Sequence, residues 1–371
     1  MQFIDLSAQQ KKIRPKIQKR INDVLDHGRY IMGPEVFELE LQLAEYVGRK
    51  YCITCSSGTD ALLIPLMAKK IGPGDAVITT PFTYIATAEV IKLLGATPIF
   101  VDIYSETFNL NPDGIPQAIK YAKDQGLCLK AIIAVDLFGL PARYRLIEDY
   151  AFENNLFLIE DAAQGFGGSI RQKKAGSFGH CSSTSFFPAK PLGCYGDGGA
   201  IFTDDEELQQ KMKSIRIHGG GNDKYDNVRL GINGRLDTIQ AAILIEKLSI
   251  FEEEITLRNK IASYYLNNLN TKMKKPFVPD QYNSSWAQFS IIANSKLQKE
   301  RCSKLLNKNG IPTMNYYPIP LHLQKVFSYL GYKKGQLPIS EQISDSVFSI
   351  PMHPYMSESD QRKIVDLINE F

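Results

Sequence analysis

Apolar positions along this chain follow two rhythms. Over Arg14–Asp26, and again over Pro34–Tyr46, they recur every three or four positions, the spacing that lines one face of a helix. Gly28 ends the first helix. Pro34 opens the second, where the missing N–H of proline costs nothing. Short, nearly unbroken apolar runs then appear at Tyr51–Thr54, Ala76–Thr79, Thr97–Val101, Ala131–Val135 and Phe157–Ile159. Helical stretches separate them, Asp60–Lys70 and Ile85–Leu94 among these. Strands that are apolar on both faces and alternate with helices predict an α/β fold, a mostly parallel sheet covered on both sides. Ser183–Phe187 and Gly199–Phe202 add two strands. A helix is predicted over Leu236–Leu248, then a long charged one from Phe251. After about Asn270 the rhythm changes: a strand over Ser285–Ala293, a helix over Lys296–Asn309, a Pro- and Tyr-rich loop, and a last helix with Ser357 as N-cap. The chain, 371 residues long, exceeds one small core. The expected division is a large α/β domain over 1–250 and a small α+β domain over 251–371.

Composition narrows the function by exclusion. Apolar residues make up 44% and charged residues 22%. The 43 basic and 40 acidic side chains leave a net charge of +3, which gives no reason to expect a nucleic acid or a membrane surface as partner. The start, MQFIDLSAQQKK, turns polar within a few residues, so no signal peptide is expected, and no apolar run reaches bilayer length. The expected compartment is the cytoplasm. Six scattered cysteines read as reduced thiols. Cys52 and Cys55 form a C-x-x-C with no second pair and no histidine at ligand spacing, so no metal is expected. Their odd offset in a strand puts them on opposite faces, as packing residues.

The densest chemical signal is STSFFPAKPLGCYGDGGA, residues 182–199. Strand residues lead to Ser185. Lys190 follows between Pro188 and Pro191, and a glycine loop runs through Gly193, Gly196, Gly198 and Gly199. A lone lysine is ordinarily a solvated surface charge. A lysine fixed between prolines, after a buried strand, is a held amine of the kind that Schiff-base chemistry needs. The glycines lack the spacing and context of a dinucleotide fingerprint. In LFLIEDAAQGFG, residues 156–167, a buried strand runs into Glu160 and Asp161. A carboxylate at the carboxyl end of a parallel strand sits where open α/β sheets bind ligands. It either caps a helix or pairs with a protonated pyridine nitrogen, and Gln164 follows one turn later. In TCSSGTDAL, residues 54–62, a small-residue turn precedes a helix. The helix-start amides with the hydroxyls of Ser57 and Thr59 make an anion site that fits a phosphate. The plainer reading is an ordinary N-cap at Thr59. Tyr84, at a strand-to-helix junction, either packs in the core or stacks on a planar cofactor.

Together SSGTDAL, PFTYIATA, EDAAQ, SFFPAKPLGCYGDGGA and NGRLDTIQAA resemble the DegT/StrS-type sugar aminotransferases, fold-type-I enzymes that use pyridoxal phosphate (PLP). The likeness runs from about Asp5 to the last helix. It implies that Lys190 is the Schiff-base lysine, Asp161 the pyridine-nitrogen partner, Gln164 a group near the ring hydroxyl and Tyr84 the stacking aromatic. It further implies that Gly58, Thr59 and Ser185 contact the phosphate. Asn233 would reach that phosphate from the other subunit, which implies a homodimer with shared active sites. L-Glutamate is the implied amino donor and a nucleotide keto sugar the acceptor.

Within the family, the lysine segment with IMGPEV and YYPIPLHLQ most resembles enzymes acting on UDP-2-acetamido-2-deoxy-3-oxo-glucuronate, whose product feeds bacterial surface polysaccharide such as O-antigen. A neutral dTDP-linked 3-keto-6-deoxy sugar, or a 4-keto sugar, is the rival acceptor. Arg235 favours an acidic sugar, unless it makes an interface salt bridge. Tyr317 and His322 either line the sugar pocket or are structural. His218–Asn222, with three glycines, reads as a flap. Resembling dehydratases replace the lysine with histidine, and a non-catalytic regulator is expected to lose the lysine or the aspartate. Lys190 and Asp161 argue against both.

Overall fold

The computed structural model describes residues 1–223 and 225–371. Helices α1 (Leu6–His27) and α2 (Pro34–Val47) open the chain. The first begins well before the apolar rhythm at Arg14, because Asp5 caps it: its carboxylate accepts from Ala8 N at 2.9 Å. One orphaned donor of the first turn is thereby satisfied. The polar residues of that turn hid the helix, yet Gln9 is buried and donates to Glu254 at 2.9 Å.

The following strands are β1 (Tyr51–Cys55), β2 (Asp75–Thr79), β3 (Thr97–Phe100), β4 (Cys128–Val135), β5 (Phe157–Asp161), the two-residue β6 (Ser169–Ile170) and β7 (Lys173–Lys174), β8 (Cys181–Ser185) and β9 (Gly199–Thr203). A seven-stranded sheet takes the order β1-β9-β8-β5-β4-β2-β3. Its pairs are parallel from β3 through β8, and β9 runs antiparallel to both of its neighbours. The mostly parallel sheet is therefore as expected, with one reversed strand.

Period-two alternation divides the side chains between the faces. Ile53, Val77, Ile133 and Ile159 pack under α3 (Gly58–Ala68), α4 (Ala86–Leu93) and, further along the chain, α7 (Glu206–Arg216). Ile78, Ile132 and Leu158 point the other way, under α5 (Ile115–Asp124) and α6 (Tyr144–Glu153). At the β1 end of that second face α2 and α8 (Thr238–Leu248) cover Cys52, Ala200 and Phe202. Each buried Ile, Leu or Phe of this kind contributes roughly 1.5–3 kcal/mol. Cys52 and Cys55 fall in different clusters, as their odd offset requires, and all six cysteines are free thiols.

After α9 (Phe251–Asn268) come β10 (Tyr282–Asn283), which pairs with β6, then β11 (Phe289–Ile292), α10 (Lys296–Lys308), α11 (Pro338–Ser346), β12 (Val347–Ile350) and α12 (Glu358–Ile368). Tyr265, Trp286, Phe289, Leu306, Phe348 and Ile364 enclose a separate core there. The strand expected over Ser285–Ala293 is shorter. Ser285 N turns away to Gly139 O at 2.9 Å, and Trp286 takes a φ of 50°, which a strand cannot hold. Ser357 caps α12, accepting from Asp360 N at 3.1 Å. Among the described residues no helix is long and apolar enough to cross a membrane.

Candidate active site

The carboxyl ends of β1, β2, β5 and β8 lie at one edge of the sheet, where open α/β folds collect ligands. At the end of β5, Glu160 and Asp161 are consecutive and face opposite ways. The Glu160 carboxylate turns inward and accepts from Gly176 N and Phe178 N, each at 2.8 Å. Asp161 accepts from Thr87 Oγ1 at 2.9 Å and from Ala163 N at 3.2 Å. Burial raises the Asp161 pKa, while Thr87, Ala163 and the charge of Lys190 pull it back down. The Thr87 hydroxyl also lies 3.1 Å from that of Thr83, which ties the turn bearing Tyr84 to the same carboxylate. Tyr84 is 58% exposed, so its ring is not core packing.

Past Ser185 the chain leaves β8 and turns sharply. Lys190 N donates to Phe187 O at 2.8 Å, closing a four-residue turn with Pro188 at its second position, where the fixed φ of proline fits. Lys190 is half-buried as a whole. Enough protein surrounds its ammonium that desolvation lowers its pKa, partly offset by Asp161. The two groups named from sequence therefore sense each other electrostatically.

The small-residue turn is packed against the same strand end. A β-carbon on Gly58 would lie 2.5 Å from Ser185 Cβ, and one on Gly199 would lie 2.4 Å from Ser57 O. Glycine at these two places lets the turn of Ser57 close onto Ser185. Ser57, not Thr59, is the N-cap of α3, accepting from Asp60 N at 3.0 Å, and Thr59 stands within the first turn. The helix starts two residues earlier than expected because Gly58 and Thr59 already follow the cap.

Gln164 accepts from Phe138 N at 2.9 Å and donates to the Tyr317 hydroxyl at 3.1 Å. Burial raises the Tyr317 pKa, and its ring meets Phe82 edge-on. Tyr317 is thus joined to the Asp161 region. His322 is placed differently. It is 1% exposed, pairs with Glu341 at 3.1 Å and packs on Tyr332, all interior contacts away from the groups above. The segment of Asn233 and Arg235 lies against the Ser57 turn, since Gly234 O accepts from Ser56 N at 3.0 Å. Asn233 is exposed, and Arg235 Nε is buried with no hydrogen-bond partner among the described residues. The glycine segment His218–Asn222 folds back on residues 226–228, with Gly221 N on Asp226 O and Val228 N on Gly219 O.

Thr87 was missed from sequence, although it stands within PFTYIATA. The signal was its position one helical turn after Thr83 and Tyr84. What made it informative, the carboxylate across the sheet, is a tertiary fact.

A lysine, a buried aspartate and a glycine-walled turn at a helix start thus share the carboxyl edge of a sheet of the fold-type-I aminotransferase kind. The chain belongs to the DegT/DnrJ/EryC1/StrS aminotransferase family, whose model matches residues 11–369. It is 46% identical over 357 residues, 96% of each chain, to the UDP-2-acetamido-2-deoxy-3-oxo-D-glucuronate aminotransferase of Pseudomonas aeruginosa. It is also 40% identical, over 100% of this chain and 98% of the other, to a Geobacillus stearothermophilus protein named a pleiotropic regulatory protein. Among solved structures it matches a family aminotransferase from Brucella abortus with a TM-score of 0.97, 49% identity and 100% and 99% coverage. It matches NtdA from Bacillus subtilis, which holds the cofactor PMP, with a TM-score of 0.90, 30% identity and 99% and 82% coverage.

Proposed function

We propose that this protein transfers an amino group from L-glutamate to the 3-keto carbon of a nucleotide sugar, and that UDP-2-acetamido-2-deoxy-3-oxo-glucuronate is the preferred acceptor. The observation that carries the transfer chemistry is the coupled pair of Lys190 and Asp161 at the carboxyl end of the sheet.

The residues fit PLP. Lys190 offers an amine whose pKa is already lowered, Asp161 a carboxylate with lone pairs beyond those held by Thr87 and Ala163, and glycine at 58 and 199 lets the helix-start turn of Ser57 close onto Ser185. Ser57, Gly58, Thr59 and Ser185 would hold the phosphate, Tyr84 would cover the ring, and Gln164 would donate near the ring hydroxyl. Bound there, PLP supplies an aldehyde that captures amines and a ring that accepts electrons. The chain does the rest. Asp161 keeps a negative charge buried against the ring nitrogen and so holds a proton there. Desolvation leaves more of Lys190 as free amine at neutral pH, fit to bind the cofactor and then to carry a proton to and from the substrate carbon.

For the acceptor, support comes from the orphaned Nε of Arg235 beside the Ser57 turn and from the similarity to the Pseudomonas enzyme. A guanidinium meets a carboxylate with two parallel hydrogen bonds, which a neutral 6-deoxy sugar cannot return. Tyr317 borders the same region, whereas His322, held in the interior by Glu341, is left out of the sugar pocket. We also propose a homodimer with shared sites, in which Asn233 reaches the partner's phosphate. Phe187, Tyr84 and Leu230 expose 52%, 58% and 90% of their surface, apolar area that a second subunit would cover. The division near residue 250, the cytoplasmic location and a product used in surface polysaccharide belong to the same proposal. The test is transamination with L-glutamate against a panel of nucleotide keto sugars. Preference for a neutral dTDP-linked acceptor would defeat the acidic-sugar reading.

A further inference from the structure

We propose that Lys247 is a positioning residue, whose ammonium clamps the Gly193 carbonyl and thereby fixes the loop that carries Lys190. Its bearing on catalysis rests on the reading of Lys190 as the cofactor lysine; the clamp is a property of the protein alone.

Lys247 stands near the end of α8 and is 0% exposed. A buried ammonium is costly unless something takes up its charge. Here no carboxylate pairs with it among the described residues. Its Nζ donates to Gly193 O at 2.6 Å and lies 4.3 Å from the centroid of the Tyr195 ring, both within the loop after Lys190. Desolvation pulls its pKa down to about 8, against the opposing charge of Glu254. An apolar side chain of similar length would fill this place without that cost, so stability alone gives little reason for a lysine.

Gly193 transmits the clamp. A β-carbon there would lie 2.6 Å from both Phe187 O and Pro188 O, so its backbone sits flat against the turn that Lys190 closes. Cys194 N donates to Phe186 O at 2.8 Å just behind it. Helix α8 grips the loop a second time, where Gln240 Oε1 accepts from Tyr195 N at 2.9 Å. Moving the Gly193 carbonyl therefore moves the Lys190 turn.

Hydrogen exchange on the cofactor-free protein tests this, comparing wild type with Lys247→Met, which keeps the stem but no donor, and Lys247→Gln, which keeps a neutral donor. Lys247→Met should raise exchange at the Lys190 and Cys194 amides by about tenfold or more, Lys247→Gln by less, with β4 unchanged. With cofactor and glutamate, Lys247→Met should lower kcat by roughly tenfold or more while KM stays within about twofold, because it aims the lysine without touching substrate. Where Lys247→Met does not fold, Lys247→Gln carries the comparison. Unchanged exchange at those amides overturns the clamp. Faster exchange with unchanged kcat overturns its role in positioning. Failure of the Lys190 reading itself would show separately, as PLP bound to some other lysine.

Discussion

Glu160 and Asp161 are neighbours in one strand, equally acidic and both buried, yet they lead different lives. Glu160 faces the interior, where two backbone amides saturate it. Its partner is Asp136, whose Oδ1 is held by Ala142 N and by the Tyr144 hydroxyl. Desolvation raises the pKa of both acids, Glu160 to about 7, and for Asp136 the neighbouring charge of Glu160 adds to the rise. Asp161 faces the rim with one hydroxyl and one amide upon it, and a lysine amine for electrostatic company. The lysines divide the same way. Among the described residues Lys247 is occupied by a carbonyl and a ring, while Lys190 has no side-chain partner so close; Arg216 pairs with Glu40, yet it and Arg235 alike keep a buried Nε without a partner. Glu160 and Lys247 in the interior are engaged by protein groups, while Asp161 and Lys190 at the rim keep capacity for a ligand. Chemistry belongs where the capacity is.

The sharpest way to break that contrast is at the rim. Lys190→Ala should lower aminotransfer by roughly 10²–10⁴-fold or more, since it removes both an attachment point and a proton carrier. Asp161→Asn should still bind PLP but lose on the order of 10²-fold in turnover, the scale of one misplaced electrostatic partner in a dry site. Arg235→Ala should lower efficiency in the sugar half-reaction by roughly 10–100-fold, because a charge-assisted hydrogen bond contributes about 1.5–3 kcal/mol. The glutamate half-reaction, followed by bleaching of the cofactor band, should be spared. Equal losses in both halves would return Arg235 to the interface or the cofactor.

The interior should respond in stability instead. The folded-state pKa of Glu160 is raised from 4.5 to about 7, so the folded protein holds a proton there that the unfolded chain has already released. That contribution is fully present below pH 4.5 and is lost as pH rises towards about 7. Denaturant titrations should show wild type losing stability relative to Glu160→Gln across this window, by at most about 3–4 kcal/mol at about 1.4 kcal/mol per pKa unit. A flat difference across it would mean that the pair titrates normally. The smallest expected effect joins the two regions. The Asp161 charge raises the pKa of Lys190, so Asp161→Asn should lower it further, read as the pH dependence of Lys190 labelling in the cofactor-free protein.

Sequence reading found the rim better than the interior. Lys190, Asp161, Gln164 and the Ser57 turn stand in short segments whose prolines, glycines and strand ends announce local geometry. Alternation also separated Cys52 from Cys55. What escaped was long-range. Thr87 matters because β5 brings Asp161 to it, and Lys247 because α8 packs over the glycine loop. Neither contact leaves a mark in local spacing. The shortened β11 has the same origin, since the backbone of Ser285 is claimed by Gly139. The early start of α1 was a failure of another kind: the apolar rhythm begins late, and the cap at Asp5 was the better signal.

The central claim is that Lys190 is the amine with capacity for the cofactor. Reducing the PLP-loaded protein with borohydride and mapping the modified peptide by mass spectrometry tests it directly. The account predicts pyridoxyl label on Lys190, with none on Lys247 and none anywhere in Lys190→Ala. Label on another lysine in wild type, or an undiminished adduct in Lys190→Ala, would contradict it.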